Sequence, residues 1–171
     1  MNFIPEKVVN YNLYDDVEKL LGIGAEMTLP NFEPLTETIS GAGILGEWES
    51  VSQGHFGSQS VEISFRNLGS QAIALQQMKD RMLVLRAAQQ AYDVSSGGIQ
   101  HRGLKISMKG QPKGLNTGKI AVNANTETTV VYEIMYIKIE EDGKVLVELD
   151  KLNFVYVLNG EDQLAGIRNL I

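Results

Sequence analysis

The dominant period along the chain is two. In residues 59–67 (QSVEISFRN), Val61, Ile63 and Phe65 fall on one side of an extended strand and Ser60, Glu62, Ser64 and Arg66 on the other. Residues 103–110 (GLKISMKG) repeat the pattern, with Leu104, Ile106 and Met108 against Lys105, Ser107 and Lys109. Both segments read as antiparallel strands with one face on a core and the other in water. Residues 128–141 (TTVVYEIMYIKIEE) are apolar on both faces up to Ile139, which predicts a central strand covered on each side. The following segment, 140–160, predicts a hairpin, because Asp142-Gly143 suits a tight turn with positive φ. Helical signals are sparse. Residues 69–81 (GSQAIALQQMKDR) have no β-branched run and offer Ser70 as an N-cap, and 160–171 (GEDQLAGIRNLI) predict a short terminal helix. The expected fold class is mainly β: an antiparallel β-sandwich or barrel with one or two short flanking helices, and not a βαβ protein.

Between these strands lie segments too long and too polar for simple turns. They are an N-terminal arm over 1–14, a loop over 40–57 and a loop over 110–128; a C-terminal segment, 159–171, follows the last strand. Long structureless loops in a compact domain are functional or are ordered by a partner. Three of them predict a subunit that completes itself against its neighbours.

One of these loops carries a nucleotide-like motif. Gly41-x-Gly43-x-x-Gly46 has the spacing of the dinucleotide fingerprint, which works only between a buried strand and a helix whose N–H groups hold the pyrophosphate. Here residues 34–40 (PLTETIS) alternate polar and apolar, unlike a strand buried on both faces. Residues 47–60 (EWESVSQGHFGSQS) lack helical spacing and contain Ser52, Gly54 and Gly57 as interruptions. The nearest carboxylate at the ribose-binding distance, Glu62, sits in a strand of its own. The motif is therefore not read as a cofactor site, and no cofactor is expected.

Length and composition fit a single folded domain over 1–171, with 43% hydrophobic and 21% charged residues. No apolar run approaches a membrane span, and Pro5 and Glu6 stand where a signal peptide would need an apolar core. The expectation is a chain made in a cytoplasm, without membrane insertion. The absence of cysteine excludes disulfides, thiolate metal sites and a cysteine nucleophile.

The net charge of −6 is unevenly laid out. Residues 1–65 hold ten acids against Lys7 and Lys19, whereas 79–119 hold eight bases against Asp80 and Asp93, and 127–150 is acidic again. Such blocks either form plain solvated surface or let opposite poles meet in an array.

Candidate chemistry is thin. His55 and His101 each lie in a Gly/Ser-rich stretch without a ligand-spaced partner, so no metal site is expected. Members of a Ser-His-Asp triad can be far apart in sequence, but no serine sits in a G-x-S-x-G elbow. Asp15-Asp16 and Glu140-Glu141-Asp142 lack the alternating ligands of a calcium loop. An enzyme is not expected.

Taken together, the loops and the C-terminal hairpin resemble the major tail tube protein of contractile-tailed bacteriophages, a family shared with R-type phage-tail-like bacteriocins. The matching features begin with the arm at 5–14 (PEKVVNYNLY), Thr28-Leu29-Pro30 and the Gly41-Ala-Gly43-Ile-Leu-Gly46 loop. They continue with Gly110-x-x-Lys113, Gly118-Lys119 and Thr126-Glu127-Thr128, leading into the strand around Tyr132 and Tyr136. Most specific are Gly143-Lys-x-Leu-Val-Glu148-Leu-Asp150 and Asn159-Gly160-x-Asp162-x-Leu164. The similarity runs nearly end to end, although residues 54–103 match in pattern more than in letters.

The resemblance implies a structural virion protein that assembles into stacked hexameric rings, the inner tube of a contractile tail, through which DNA passes. One sheet of each subunit would join a continuous inner barrel. The implied partners are other copies of the chain, the tail sheath, tape measure, baseplate and tail terminator proteins, and DNA in transient passage. The implied location is the virion tail, assembled in the bacterial cytoplasm. Under this reading Gly41, Gly43, Ile44, Leu45, Gly46 and Trp48 form an assembly arm, joined by Pro5 and Lys113. The alternative for the 40–57 segment is a hairpin folded over its own core. Thr36, Thr38, Ser40, Ser60, Glu62 and Ser64 are the candidates for a lumen wall, being small, polar or acidic at period-two positions. Arg66 fits that wall poorly. The rival functions are a tube subunit of a bacteriocin or type VI-like injection system, a monomeric β-sandwich binding module, and a hydrolase built on one of the histidines.

Overall fold

The computed structural model describes residues 2–171. Its strands are β1 (Phe3–Asp15), β2 (Glu18–Lys19), β3 (Ile23–Thr28), β4 (Pro34–Ser40), β5 (Glu47–Phe56), β6 (Ser60–Phe65), β7 (Met82–Asp93), β8 (Gly98–Asn116), β9 (Thr128–Glu141), β10 (Lys144–Asp150), β11 (Val155–Leu158) and β12 (Glu161–Asp162). Two short helices, α1 (Ser70–Ala74) and α2 (Ala165–Arg168), complete the chain. The fold is mainly β and antiparallel, as the period-two pattern predicts. Strands pair in the order β12-β11-β10-β9-β8-β7-β1-β2, and β4 and β5 form a separate two-stranded sheet.

β9 organises the large sheet. One of its edges pairs with β8 along almost its whole length. The other pairs with β6 through Thr128–Glu133 and with β10 through Tyr136–Glu141, and β6 carries β3 on its far side. The division falls at a bulge: Ile134 opposes Gly110 and Tyr136 opposes Lys109, leaving Met135 between them. The extra residue reverses the phase of the side chains. Val130, Tyr132 and Ile134 are buried before it, and Ile137 after it.

Residues from β1, β6, β7, β8, β9 and β10 meet in one core that includes Leu13, Ile63, Leu85, Ile106, Tyr132 and Leu149. The helix α1 closes it with Ala72 and the adjoining Leu75. Val61, Ile63 and Phe65 are all buried, as their alternation requires. The turn Asp142-Gly143 has φ of 47° and 81°, the positive values its sequence calls for.

The fold departs from expectation in four places. First, β9 is central in its pairing but fully buried on only one face; Val131, Glu133 and Met135 on the other are half-buried among the described residues. Second, the helix over 69–81 shrinks to Ser70–Ala74, and its N-cap is Gly69, with no side-chain cap from Ser70. The Ala74 carbonyl accepts from Gln77 N–H in a tightened last turn (3.2 Å) and from Arg81 Nη2 (3.0 Å), and the Leu75 carbonyl accepts from the Tyr132 hydroxyl.

Third, the arm over 1–14 is largely strand: β1 pairs with β7 from Phe3 to Asp15. Fourth, the two long loops contract. The 40–57 loop becomes a turn at 41–46 followed by β5, and 110–128 becomes the end of β8 followed by a loop at 117–127. These segments look like loops in sequence because both faces of the strands they form are largely exposed, which removes the apolar alternation.

Candidate assembly surfaces

The β4–β5 hairpin stands apart from the body. Its turn has Gly43 and Gly46 at φ of 84° and 90°, a region open to glycine and costly for other residues. The fingerprint spacing thus serves a strand-to-strand turn rather than a strand-to-helix phosphate cradle. Cross-strand pairing defines two faces. Thr38 opposes Glu49 and Ser40 opposes Glu47 on one; Ile39 opposes Trp48 and Glu37 opposes Ser50 on the other. Leu45 at the tip is fully exposed and Trp48 is 52% exposed.

An isolated two-stranded hairpin is marginally stable in water, so its base must hold it. Phe56 packs edge-on against Phe32 (5.6 Å between centroids) and Tyr156 (5.1 Å). Gly57 N–H donates to Glu33 O (3.1 Å), and Lys151 Nζ donates to Gly57 O (3.0 Å). The hairpin is therefore rooted at one end, and the alternative of folding over its own core is not what the chain adopts.

Two further surfaces lie in the segments expected to assemble, the N-terminal arm and the 110–128 loop. Along its outer edge β1 pairs with β2 only at Tyr14 and Asp15, leaving the edge from Phe3 to Leu13 without a strand partner among the described residues. Pro5 lies here, where a missing N–H is tolerated, and the register slips between Pro5 and Lys7. The loop 117–127 is pinned by Thr126, whose N–H donates to Arg66 O (3.0 Å) and whose Oγ1 accepts from Leu68 N–H (2.7 Å). At its tip Ile120 and Val122 are 92% and 100% exposed. Their only sequence signal is two aliphatic residues inside a Gly/Asn/Thr-rich loop.

Lys113 is held within its own chain. Its Nζ lies 3.1 Å from Glu133 Oε2, and Ser58 Oγ donates to the same carboxylate at 2.8 Å. Burial disfavours the charged form of Glu133, but the bonds from Ser58 and Lys113 outweigh it and hold its pKa below the usual value.

The lumen candidates fall into two sets on different sheets. Thr36, Thr38 and Ser40 share the hairpin face with Glu47 and Glu49. Ser60, Glu62 and Ser64 lie on the non-core face of β6, opposite Glu133, Val131 and Thr129. Arg66 follows them, exposed. No strand pairing among the described residues joins the two sheets that carry them.

His55 packs edge-on to Phe154 at 6.5 Å, and among the described residues neither histidine hydrogen-bonds a serine. No group of three His, Asp or Glu side chains is placed to hold a metal among the described residues.

Residues 5–171 match the family model described as phage tail tube protein FII. The chain is 24% identical over 183 residues to the tail tube protein of Escherichia phage P2, spanning 98% of each chain. It is 26% identical over 159 residues to the major tail tube protein of Serratia phage KSP20, spanning 93% of this chain and 91% of that one. A solved structure of the sheath/tube terminator of an extracellular contractile injection system, PVC, in its extended state, has a similar fold. The TM-score is 0.54 at 10% identity, covering 80% of this chain and 97% of the other. A projecting hairpin and an open sheet edge suit a building block, and the match over nearly the full length assigns it: the chain belongs to the phage tail tube protein family, structural rather than enzymatic components of the virion tail.

Proposed function

We propose that this chain forms the inner tube of a contractile tail by assembling into hexameric rings that stack, with DNA passing through the lumen. The observation that carries this reading is the β4–β5 hairpin. It is rooted at one end and exposes Leu45 and Trp48 on a two-stranded sheet that pairs with no other strand among the described residues. Apolar groups placed this way are a liability on a monomer and serve as anchors in an assembly. The open edge of β1 supports the same reading, since pairing with the next protomer removes an edge that would otherwise template aggregation.

Gly41, Gly43, Ile44, Leu45, Gly46 and Trp48 form the assembly arm of this reading, with Pro5 on the ring-forming edge. Lys113 joins a contact only by leaving Glu133. A lumen of small polar and acidic groups would repel phosphates and offer bases nothing to stack on. The hairpin face with Thr36, Thr38 and Ser40 and the β6 face with Ser60, Glu62 and Ser64 are the two candidate walls. The sheath would surround the tube, with tape measure, baseplate and terminator proteins meeting its interior and ends. Tube subunits of bacteriocins or type VI-like injection systems would use the same surfaces with a different cargo.

Negative-stain electron microscopy over a concentration series, with light scattering, tests the reading. Six-fold rings or hollow tubes are expected. A chain that stays monomeric, and also fails to elongate on added tail initiator, would overturn it in favour of a monomeric binding module.

A further inference from the structure

The non-core face of β7 and β8 carries a cleft of about 660 Å³. Its lining runs along one face from His101, through the cross-strand pair Ala88–Gly103, to the pair Arg86–Lys105. The middle pair has almost no side chain, so the sheet is dished between two polar rows. Arg86 also sits opposite Asn12 of β1. It is therefore flanked by an amide and by Lys105, whose own charge is met by Glu140 at 3.5 Å, so neither cross-strand neighbour offers Arg86 an anion.

The acids nearby are already committed. Glu140 lies 3.5 Å from both Lys105 and Lys138, and Asp142 Oδ1 accepts from Gly103 N–H at 2.7 Å. Among the described residues no carboxylate lies within ion-pair distance of Arg86.

The hairpin has the converse defect. Glu47 and Glu49 share one exposed face close to Leu45, and neither pairs with a cation among the described residues. From Leu20 to Phe65 the chain contains no Lys or Arg at all. The arm therefore presents an apolar knob with unpaired acids beside it, and the cleft presents a hollow floor with an unpaired base beside it.

We propose that the cleft at Ala88, Gly103 and Arg86 is the receptor for the β4–β5 hairpin of a second copy of this chain, with Leu45 over the dished floor and Glu47 or Glu49 on Arg86. This rests on the tube reading, assigns the surface its arm would grip, and, because Glu47 and Glu49 share their face with Thr36, Thr38 and Ser40, leaves the β6 face as the lumen wall. Charge complementarity selects the occupant: the hairpin is the acidic, apolar-tipped projection that the molecule itself supplies. Contacts of this kind are salt-sensitive and specific more than they are strong.

Two experiments decide it in the intact chain. Arg86→Glu changes an exposed side chain without an ion-pair partner, so the monomer melting temperature should stay unchanged. Its critical concentration for tube growth should rise about tenfold or more, because like charges then face each other. Glu47→Lys with Glu49→Lys should do the same, and combining the three substitutions should restore growth. Growth equal to that of the unsubstituted chain in the first two variants, or no recovery in the combination, would overturn the proposal.

The second experiment uses the lack of cysteine. Chains carrying Leu45→Cys and chains carrying Ala88→Cys are mixed, assembled on tail initiator and treated with a short bis-maleimide. A mixed dimer is expected. Tubes that form without that dimer would overturn the receptor assignment while leaving the tube reading intact. Failure of the unsubstituted chain to assemble on initiator would overturn the tube reading itself. Protection of Arg86 by purified sheath protein, without the mixed dimer, would reassign the cleft to the sheath.

Discussion

Ile39 and Trp48 stand directly opposite each other across the β4–β5 hairpin, on a sheet that makes no hydrogen-bonded pairing with the body. Their pairing stiffens the arm, yet Trp48 remains 52% exposed. Trp48→Ala should therefore change monomer stability by no more than about 0.5 kcal/mol, as for an ordinary surface substitution. In assembly it should behave as an anchor, costing about 2 kcal/mol, or ~30-fold in critical concentration. Thermal melts of the monomer and sedimentation of assembled material would measure the two separately. A loss of monomer stability without an assembly defect would place Trp48 in the fold rather than in the arm.

The end of β1 is tied to the residue before β7 by an ion pair between Asp15 and Arg81, whose side chains are 19% and 2% exposed, and Arg81 also donates to the Ala74 carbonyl of α1. Removing one partner of such a pair strands the other charge out of water. Asp15→Asn should destabilise the chain by about 3–5 kcal/mol. Urea unfolding followed by far-ultraviolet circular dichroism would show it as a lowered midpoint with little change of slope.

At the tip of the β7–β8 hairpin, Asp93 accepts from Ser95 Oγ (2.6 Å), Ser96 Oγ (2.8 Å) and Ser95 N–H (2.9 Å). These bonds favour the carboxylate and lower its pKa from 3.8 to about 2. The folded chain thus releases this proton more readily than the unfolded chain. The stabilisation is complete above about pH 5 and disappears as the pH falls from about 4 through 2. Asp93→Asn should lower the melting temperature at pH 7, and the difference from the unsubstituted chain should shrink toward zero near pH 2. A difference that stays constant across calorimetric scans from pH 7 to 2 would contradict this.

Gly110 lies at the β9 bulge, where an added Cβ would stand 1.9 Å from the Glu133 carbonyl oxygen. Backbone cannot yield as a flexible side chain does, so Gly110→Ala should cost about 1–3 kcal/mol. Gly114, farther along the same strand, has open space around its Cβ position. Gly114→Ala should stay within about 0.5 kcal/mol. Equal effects in chemical denaturation would remove the bulge as the cause.

Much of this protein is legible in its sequence because the relevant physics is local. The side chains of 59–66 alternate, so the buried face of β6 follows from the letters alone. Asp142-Gly143 specifies its turn, and the glycines of 41–46 announce a bend whatever it joins. The order of motifs along the chain is enough to name the family. Strands whose two faces are both exposed are invisible to this reasoning, and β1 and β5 were lost in that way.

Which strands pair, and therefore which side chains become neighbours, depends on contacts far apart in sequence. Only the tertiary structure sets Arg86 beside Lys105 over an Ala88–Gly103 floor, splits the edge of β9 between β6 and β10, and detaches the hairpin from the body. Alternation says that a strand has two faces. Where an apolar face packs, and against which other strands, comes from the burial free energy of the whole core, where Leu13, Ile63, Tyr132 and Ile137 leave water together.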